Sequence, residues 1–406
     1  HKARPEDNLA RIAESVGEQT GSADLVVFPE TALTGYFLEG GVSEGARAAE
    51  VVARGLGPCD PSHPDVVVGF YERWRRRLYN AVGYFEAGDG GYRLRHVHRK
   101  LFLPTYGVFD EARFVETGRR VTAFDTRFGR VGMLVCEDLW HALPGTVLAL
   151  GGAELIVVVS ASPARDFHPG AGEPANLARW TRLARNTAEE HGVFVAVSQL
   201  VGSEGGKLFP GGSLVVGPDG DVLARGPLLE EAVVEASLHG VRVERVRAES
   251  PMLADLEQML PHLQRSLRRA ARGEPGPGGP HLEERGPAGA STEIGLRGRD
   301  DAPDPAPIVS SDPSLLDLDL PLVENALVGF IREEVVERRG VRSVVLGVSG
   351  GVDSAVSLVL ACRALGPENV YGFRLPYATS SEDSLEQARL ALEATGAHSR
   401  TIEITG

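Results

Sequence analysis

A run of six residues, Ser349–Ser354, constrains the fold of this chain more than any other part of its sequence. It reads Ser-Gly-Gly-Val-Asp-Ser, directly after the apolar run 344–348 and before the largely apolar stretch 355–365. This order predicts a short strand, a glycine turn and a helix. Glycines let backbone N–H groups approach a phosphate closely, and a helix N-terminus adds partial positive charge. The segment therefore predicts a phosphate-binding loop in an α/β domain, with an ordinary glycine-rich turn as the alternative.

Composition limits the classes of protein to which the chain can belong. Its 406 residues suffice for two or three domains, and 42% hydrophobic residues are typical of a soluble globular protein. A net charge of −14 argues against a nucleic-acid partner. The three cysteines, Cys59, Cys136 and Cys362, are too dispersed for a disulfide framework, which favours a reducing, cytoplasmic compartment. Since no apolar run reaches about 18 residues, we expect no membrane span.

A stretch rich in Pro and Gly divides the chain. Residues 271–314 are polar and lack hydrophobic periodicity, so we predict a flexible linker there. Residues 1–270 and 315–406 alternate strand-like and helical patterns, which predicts two α/β domains. Strands are expected at 25–28, 66–70, 81–85, 131–135, 155–159, 193–198, 213–216, 344–348, 370–375 and 400–404. Helices are expected at 8–19, 45–54, 146–150, 175–191, 322–338, 355–365 and 383–395.

Three reactive side chains of the first domain each follow a strand-like stretch. They are Glu30, Lys100 and Cys136. A carboxylate, an ammonium and a thiol are the groups needed for amide hydrolysis through a covalent intermediate. The carboxylate would accept the thiol proton, and the ammonium, with the backbone N–H after Cys136, would stabilise the oxyanion and lower the pKa of the thiol. Taken singly, each residue has a structural reading: a neighbour of a helix N-cap, a solvated lysine and a buried cysteine.

In these motif contexts the first domain resembles the nitrilase superfamily, whose members carry a Glu-Lys-Cys triad. The stretches 103–111 (Leu-Pro-Thr-Tyr-Gly-Val-Phe-Asp-Glu) and 160–163 (Ser-Ala-Ser-Pro) also match. The resemblance implies a four-layer αββα sandwich in which Glu30, Lys100 and Cys136 are catalytic. It further implies that five residues line or approach the substrate pocket, namely Tyr36, Tyr106, Glu111, Ser160 and Ser162.

The glycine loop resembles the pyrophosphate loop of ATP pyrophosphatases, which split ATP between its α and β phosphates. Its spacing differs from that of Walker-type loops, and no Lys follows it. The resemblance implies a partial Rossmann-like ATP-pyrophosphatase domain that binds ATP through Ser349, Gly350, Gly351, Val352, Asp353, Ser354, Arg374 and Leu375. Asp353 carries the loop's one full negative charge and is expected to hold Mg²⁺, because hard cations prefer oxygen ligands. Its alternative role is that of a helix cap.

The order of the two domains resembles the glutamine-dependent NAD synthetase family. The stretches 365–370 and 374–384 match that family, whereas 201–209 departs from its usual wording. The resemblance implies that the first domain releases ammonia from glutamine and that ATP adenylates deamido-NAD with release of pyrophosphate. The ammonia would then displace AMP from the adenylated deamido-NAD to give NAD. It also implies a homo-oligomer.

In that family a strand precedes the first helix, and further βα units follow the region that ends here. We therefore expect this chain to be incomplete at both ends, with a synthetase half that cannot finish the reaction by itself. The alternative is a stand-alone carbon–nitrogen amidohydrolase with a non-catalytic nucleotide-binding appendage. A reading frame that continues past Gly406 favours the synthetase, and an immediate stop codon favours the amidohydrolase.

Overall fold

The computed structural model describes residues 2–36, 41–107, 109–168, 170, 172–273, 317–377 and 381–404. It divides the chain into two units, one formed by residues 1–250 with 318–406 and the other by residues 251–317. The helices are α1 Pro5–Glu18, α2 Val42–Gly45, α3 Ala49–Gly55, α4 Ala142–Leu150, α5 Ala175–His191, α6 Gly240–Glu249, α7 Met252–Ala271, α8 Leu320–Arg332, α9 Val352–Leu365 and α10 Glu382–Thr395.

Fifteen strands are found in the described residues. They are β1 Leu25–Val27, β2 Asp65–Trp74, β3 Arg77–Glu86, β4 Arg93–Arg99, β5 Phe124–Thr126, β6 Gly129–Val135, β7 Leu155–Ser160, β8 Phe194–Gln199, β9 Val201–Glu204, β10 Lys207–Pro210, β11 Leu214–Val216, β12 Val222–Arg225, β13 Val344–Gly347, β14 Val370–Arg374 and β15 His398–Thr401. Short 3₁₀ turns and one π turn, Glu333–Glu337, complete the regular structure.

Two sheets form the centre of the first half of the chain. One has the strand order β1-β2-β3-β4, and the other has the order β12-β11-β8-β7-β6-β5. Apolar side chains of β2 and β3 pack against those of β6 and β7 to form a core between the sheets, with Val67, Tyr84, Met133 and Val157 among its members. This face-to-face packing buries alternate residues of each strand.

Helices cover the outer face of each sheet. Ile12 and Val16 of α1 and Val52 of α3 pack against Val68 and other residues of the four-stranded sheet. On the six-stranded sheet, α4 and α5 contact β6 and β8, respectively. Gly132 of β6 admits α4 closely, since a Cβ there would lie 2.7 Å from a methyl group of Leu148. The layers are helix, sheet, sheet and helix, so the predicted αββα sandwich is confirmed.

The second half of the chain contains a three-stranded parallel sheet in the order β13-β14-β15. Helices α9 and α10 connect its strands and pack on it through a core that includes Leu358, Cys362, Val370 and Leu392. The predicted partial Rossmann-like α/β arrangement is therefore confirmed. Several boundaries differ from the sequence prediction by one to six residues. The strand expected at 400–404 lies at His398–Thr401, and the helix expected to reach 338 ends at Arg332, before the π turn.

The second unit contributes one described element, the amphipathic helix α7, which contains Pro261. Residues 274–314 of the predicted linker lie outside the described residues, so that prediction remains one. None of the helices in the described ranges combines the length and the apolarity needed to cross a bilayer.

Candidate active site

Glu30, Lys100 and Cys136 follow β1, β4 and β6 and meet at one end of the two sheets. Lys100 Nζ donates a hydrogen bond to Glu30 Oε1 at 2.9 Å, and both side chains are fully buried. The charges of the Glu30 carboxylate and the Lys100 ammonium also act on the Cys136 thiol. The structure thus brings together three side chains that are up to 106 positions apart in the sequence (136 − 30 = 106).

A second carboxylate, that of Glu111, completes the contacts of the lysine. Lys100 Nζ donates to Glu111 Oε1 at 2.6 Å, so one ammonium lies between two acidic side chains. Burial alone would lower the pKa of Lys100, but the charges of Glu111 and Glu30 outweigh it and raise that pKa well above its ordinary value. The lysine is therefore a permanent cation in the site, suited to hold a developing oxyanion.

The thiol stands on a strained turn. Cys136 has a φ of +46°, in the left-handed region that a side chain with a Cβ rarely adopts. Asp138 holds this turn, because its carboxylate accepts hydrogen bonds from the backbone N–H groups of Val135, Leu101 and Phe102 at 2.9–3.1 Å. The same carboxylate ties the end of β6 to the segment that follows Lys100. Asp138 thus has a structural role at this turn.

Burial and several nearby charges act on the pKa of the Cys136 thiol. Burial first, and the negative charge of Glu30 second, raise this pKa well above its ordinary value. Lys100 lowers the pKa of the thiol, as expected from the sequence, and so does the hydroxyl of Ser160, which donates to Cys136 Sγ at 3.5 Å. These two effects are outweighed, so the thiol rests protonated and needs a base.

The base candidate has partners that the sequence did not reveal. Asn80 Nδ2 donates to Glu30 Oε1 at 2.7 Å, and the backbone N–H of Ala161 donates to Glu30 Oε2 at 2.7 Å. The backbone carbonyl of Asn80 also accepts the N–H of Lys100 at 2.8 Å. Asn80 therefore positions both Glu30 and Lys100.

Tyr36 lies beside the lysine and its carboxylates. Its hydroxyl donates to Glu111 Oε1, and its ring centroid is 5.8 Å from Lys100 Nζ. The backbone of Tyr36 is fixed from both sides, since its N–H donates to Glu204 Oε2 at 2.6 Å and its carbonyl accepts the hydroxyl of Tyr71 at 2.9 Å. Burial and the nearby carboxylates raise the pKa of Tyr36 well above its ordinary value, so it remains a donor.

Two other residues predicted to contact substrate, Tyr106 and Ser162, lie at an open cavity of about 450 Å³ or beside one of its lining residues. Tyr106 lines it, is 44% exposed, and donates from its hydroxyl to Glu137 Oε2 at 2.7 Å. Ser162 is buried, and its hydroxyl accepts a hydrogen bond from the cavity residue Asn176 at 3.1 Å. The cavity is rich in cationic side chains that were not singled out from the sequence, namely Arg165, Arg179 and Arg182, and His141 also lines it.

The glycine loop of the second half forms the predicted strand–turn–helix between β13 and α9. Gly350 has a φ of +85°, and a Cβ there would lie 2.1 Å from the backbone oxygen of Ser384. Gly351 has a φ of −80°, and its nearest obstacle would be Ser349 Oγ at 3.5 Å. The positive φ that favours glycine therefore occurs at Gly350 and not at Gly351, and α10 packs against this first glycine.

Hydroxyls rather than Asp353 organise the loop. Ser354 Oγ donates to the carbonyl of Gly351 at 2.9 Å and accepts the N–H of Ser349 at 3.2 Å. Helix α9 has Gly351 as its N-cap and no side-chain cap, so the capping role considered for Asp353 is wrong. Val352 is 78% exposed at the first position of α9, and Leu375, after β14, is 47% exposed. Arg374 has a buried Nε without a hydrogen-bond partner in the described residues.

Asp353 has an exposed carboxylate in the first turn of α9. No cluster of three or more metal-ligating side chains occurs in the described ranges. Mg²⁺ in nucleotide sites is commonly bound by one or two carboxylates together with the phosphates of the substrate. A single free carboxylate beside a phosphate loop fits that donor set.

Comparisons with known proteins match the two halves separately. The family model described as carbon–nitrogen hydrolase matches residues 1–248, and the model described as NAD synthase matches residues 323–406. The glutamine-dependent NAD(+) synthetase of Thermotoga maritima is 31% identical over 98% of this chain and 63% of its own length. An NH(3)-dependent NAD(+) synthetase of Chlorobium phaeobacteroides is 54% identical over 22% of this chain and 32% of its own length.

Solved structures show the same fold. The glutamine-dependent NAD+ synthetase of Acinetobacter baumannii, in complex with ADP, aligns with this chain at a TM-score of 0.69 and 21% identity. The alignment covers all of this chain and 63% of the Acinetobacter chain. A carbon–nitrogen hydrolase from Helicobacter pylori covers 62% of this chain with 88% of its own, at a TM-score of 0.53 and 24% identity. The chain thus spans 63% of the length of the two-part relatives that it matches along its whole length.

Proposed function

Because this chain belongs to the carbon–nitrogen hydrolase family, we propose that its first half releases ammonia from glutamine. We propose further that the second half belongs to the site that uses this ammonia to convert ATP-activated deamido-NAD into NAD. The observation that carries the first part is the buried ammonium of Lys100, bonded to Glu30 and Glu111 at 2.9 and 2.6 Å beside the strained Cys136. Full-length likeness to two-part synthetases supports the second part.

The arrangement supports a covalent mechanism for amide hydrolysis. Glu30 accepts the proton of the Cys136 thiol as sulfur attacks the amide carbon, and the oxyanion is held by Lys100 and the backbone N–H of Glu137. The protonated Glu30 then gives its proton to the leaving nitrogen, so ammonia departs and a thioester remains. Water, deprotonated by Glu30, hydrolyses the thioester to glutamate and restores the thiol.

The 450 Å³ cavity suits the amino-acid end of glutamine. Arg165, Arg179 and Arg182 offer cations for an α-carboxylate, and Glu137 and Asp166 offer anions for an α-ammonium group. Arg165 has a buried Nε without a partner in the described residues. Arg179 stacks on Trp140 at 4.1 Å, which fixes its direction.

In the second half, the glycine loop would bind the phosphates of ATP. The backbone of Gly350 and Gly351 and the mutually bonded hydroxyls of Ser349 and Ser354 lie at the N-terminus of α9, where a phosphate can be bound. Asp353 would hold Mg²⁺ together with the phosphates, and this ion would neutralise charge on the departing pyrophosphate. Arg374 ends the adjacent strand β14, and Leu375 follows it. Ligands of open α/β sheets bind at this carboxyl end of the strands.

Further features of the proposal follow from the same family likeness. We expect a homo-oligomer, and three free cysteines fit a reducing cytoplasm. The alternative, an amidohydrolase with a non-catalytic nucleotide-binding appendage, has less support, because the matched two-part relatives include the NAD synthase region.

Glutamate release from glutamine tests the amidase part. We expect Cys136→Ala to abolish it, and Glu30→Gln and Lys100→Ala each to reduce it by about three orders of magnitude or more, since the three groups act together. Cys59→Ala is the matched control, because Cys59 is buried in the outer core and should leave the activity intact. Substantial activity in Cys136→Ala would remove the thiol from its role.

A further inference from the structure

Helix α8, from the second half of the chain, ends against a hairpin of the first half. The hairpin consists of β9 and β10 and carries Ser203, whose hydroxyl donates to Glu333 Oε2 at 2.7 Å. Glu333 follows the last residue of α8 and lies so close to Gly202 that a Cβ there would be 3.3 Å from its Oε1. This carboxylate is half-buried, so the contact is not a surface ion pair.

The same hairpin holds the backbone of Tyr36. Glu204, the residue after Ser203, accepts the N–H of Tyr36 at 2.6 Å. Its carboxylate also packs on Gly35, where a Cβ would lie 2.7 Å from Oε1. Gly35 has a φ of +80°, so neither its conformation nor its space suits another residue. A shift of the hairpin would therefore move Tyr36.

Tyr36 in turn contacts the candidate catalytic groups. Its hydroxyl donates to Glu111, which accepts from Lys100 Nζ at 2.6 Å. A continuous set of contacts thus runs from Glu333 through Ser203 and its neighbour to the lysine. Every link is a hydrogen bond or a direct covalent neighbour.

The other end of α8 touches a second loop of the amidase half. The N–H of Asp319, the N-cap of α8, donates to the carbonyl of Phe167 at 3.2 Å, and its carboxylate accepts the N–H of Gly172 at 3.3 Å. The loop that contains Phe167 also supplies Arg165 and Asp166 to the 450 Å³ cavity. One helix therefore contacts two loops that reach the amidase site.

We propose that helix α8 is a strut for the amidase site and that Glu333 is a positioning residue, which acts through Ser203, Glu204 and Tyr36 on the placement of Lys100. Only the kinetic consequence of this inference rests on the proposed amidase function. Lys100 would stabilise the oxyanion, which exists in the transition state and not in bound glutamine. Loss of the strut contact should therefore lower kcat and leave KM nearly unchanged.

Two substitutions on opposite sides of the contact test the proposal. We expect Ser203→Ala and Glu333→Ala each to lower kcat for glutamine hydrolysis by about threefold to tenfold, and the double variant to show no further loss. Glu333→Gln should restore most of the activity, because its amide oxygen still accepts from Ser203. Glu334→Gln is the matched control, since Glu334 pairs with Arg338 and Arg339 on its own turn, and the pair between Arg338 and Glu333 is kept in this variant.

A second readout does not depend on turnover. The rate at which iodoacetamide alkylates Cys136, followed by mass spectrometry, should change in Ser203→Ala and Glu333→Ala and stay at the wild-type value in Glu334→Gln. If the wild type hydrolyses no glutamine, the proposed function fails while this readout still tests the strut. Unchanged kcat and alkylation in both alanine variants, an effect in one but not the other, or an equal effect of Glu334→Gln would each overturn the proposal.

Discussion

At the scale of single residues, the charges around Cys136 explain why this thiol needs a base. Two buried carboxylates, Glu30 and Glu111, surround one ammonium, that of Lys100. Burial is the largest cause of the raised pKa of Cys136, and the excess of negative over positive charge near the sulfur adds to it. A protonated thiol reacts more slowly with electrophiles than a thiolate does.

This electrostatic account predicts opposite effects of one substitution on acidity and on catalysis. Glu30→Gln removes a negative charge beside the thiol and leaves Lys100 charged through Glu111, so the pKa of Cys136 should fall. The pH at which the alkylation rate of Cys136 is half-maximal should move down, although glutamine hydrolysis is lost. Cys59 in the same sample is an internal reference, because Glu30 is not among the groups that shift its pKa. An upward shift for Cys136 would contradict this account.

The triad residues could be predicted from the sequence because each lies in a recognisable motif context. Asn80 and the N–H of Ala161 could not, since their partner Glu30 lies 50 and 131 positions away in the sequence. The one sequence feature that could have indicated Asn80 is an asparagine directly before an apolar, strand-like run. The effective acidity of the thiol was beyond sequence reasoning as well, because it depends on burial and on the balance of three nearby charges.

At the scale of elements, buried strands could be predicted and amphiphilic ones could not. Runs such as Leu155–Ser160 are buried along almost their whole length and read as continuous apolar segments. Strand β4 (Arg-Leu-Arg-His-Val-His-Arg) lies at the edge of its sheet and consists mainly of Arg and His, and the hairpin of β9 and β10 is short and glycine-rich. Neither has the composition of a buried strand, yet β4 leads directly to Lys100.

The two glycines of the phosphate loop should respond differently to the same substitution. Gly350→Ala forces a Cβ to within 2.1 Å of the Ser384 carbonyl oxygen at a positive φ, whereas Gly351→Ala meets open space. We expect Gly350→Ala to lower the free energy of unfolding by about 1–3 kcal/mol or more and Gly351→Ala to change it by less than about 1 kcal/mol. Denaturant unfolding of the two variants measures this, and equal losses would contradict the packing described here.

Asp353 should matter for nucleotide chemistry and little for stability. Its carboxylate makes no capping hydrogen bond in α9, so Asp353→Asn forfeits at most about 0.3–1 kcal/mol of interaction with the helix dipole. Turnover of ATP to AMP and pyrophosphate by the full-length gene product should nevertheless be lost at all Mg²⁺ concentrations tested. Asp383→Asn, which removes an acid from the first turn of α10, is the matched control. Wild-type turnover in Asp353→Asn would refute the metal assignment.

At the scale of the whole molecule, the order of the two halves could be predicted because each has a local motif that needs few residues. The contacts between the halves could not, since Ser203 and Glu333 are 130 positions apart and neither belongs to a motif. Under the proposals above, these contacts give the second half a structural role beside that of binding a nucleotide. The support depends on helix α8, which also packs on α9, the helix that begins at the phosphate loop.

The central claim is that one site makes ammonia and the other consumes it. The most direct test uses the full-length gene product carrying Cys136→Ala, with ATP, Mg²⁺ and deamido-NAD, and measures NAD formation with either glutamine or ammonium chloride. The account predicts no NAD from glutamine and NAD from ammonia at a rate close to that of the wild type, because the substitution removes only the thiol of the amidase site. Failure of ammonia to support NAD formation in this variant, while the wild type makes NAD from glutamine, would contradict the division of labour between the two halves.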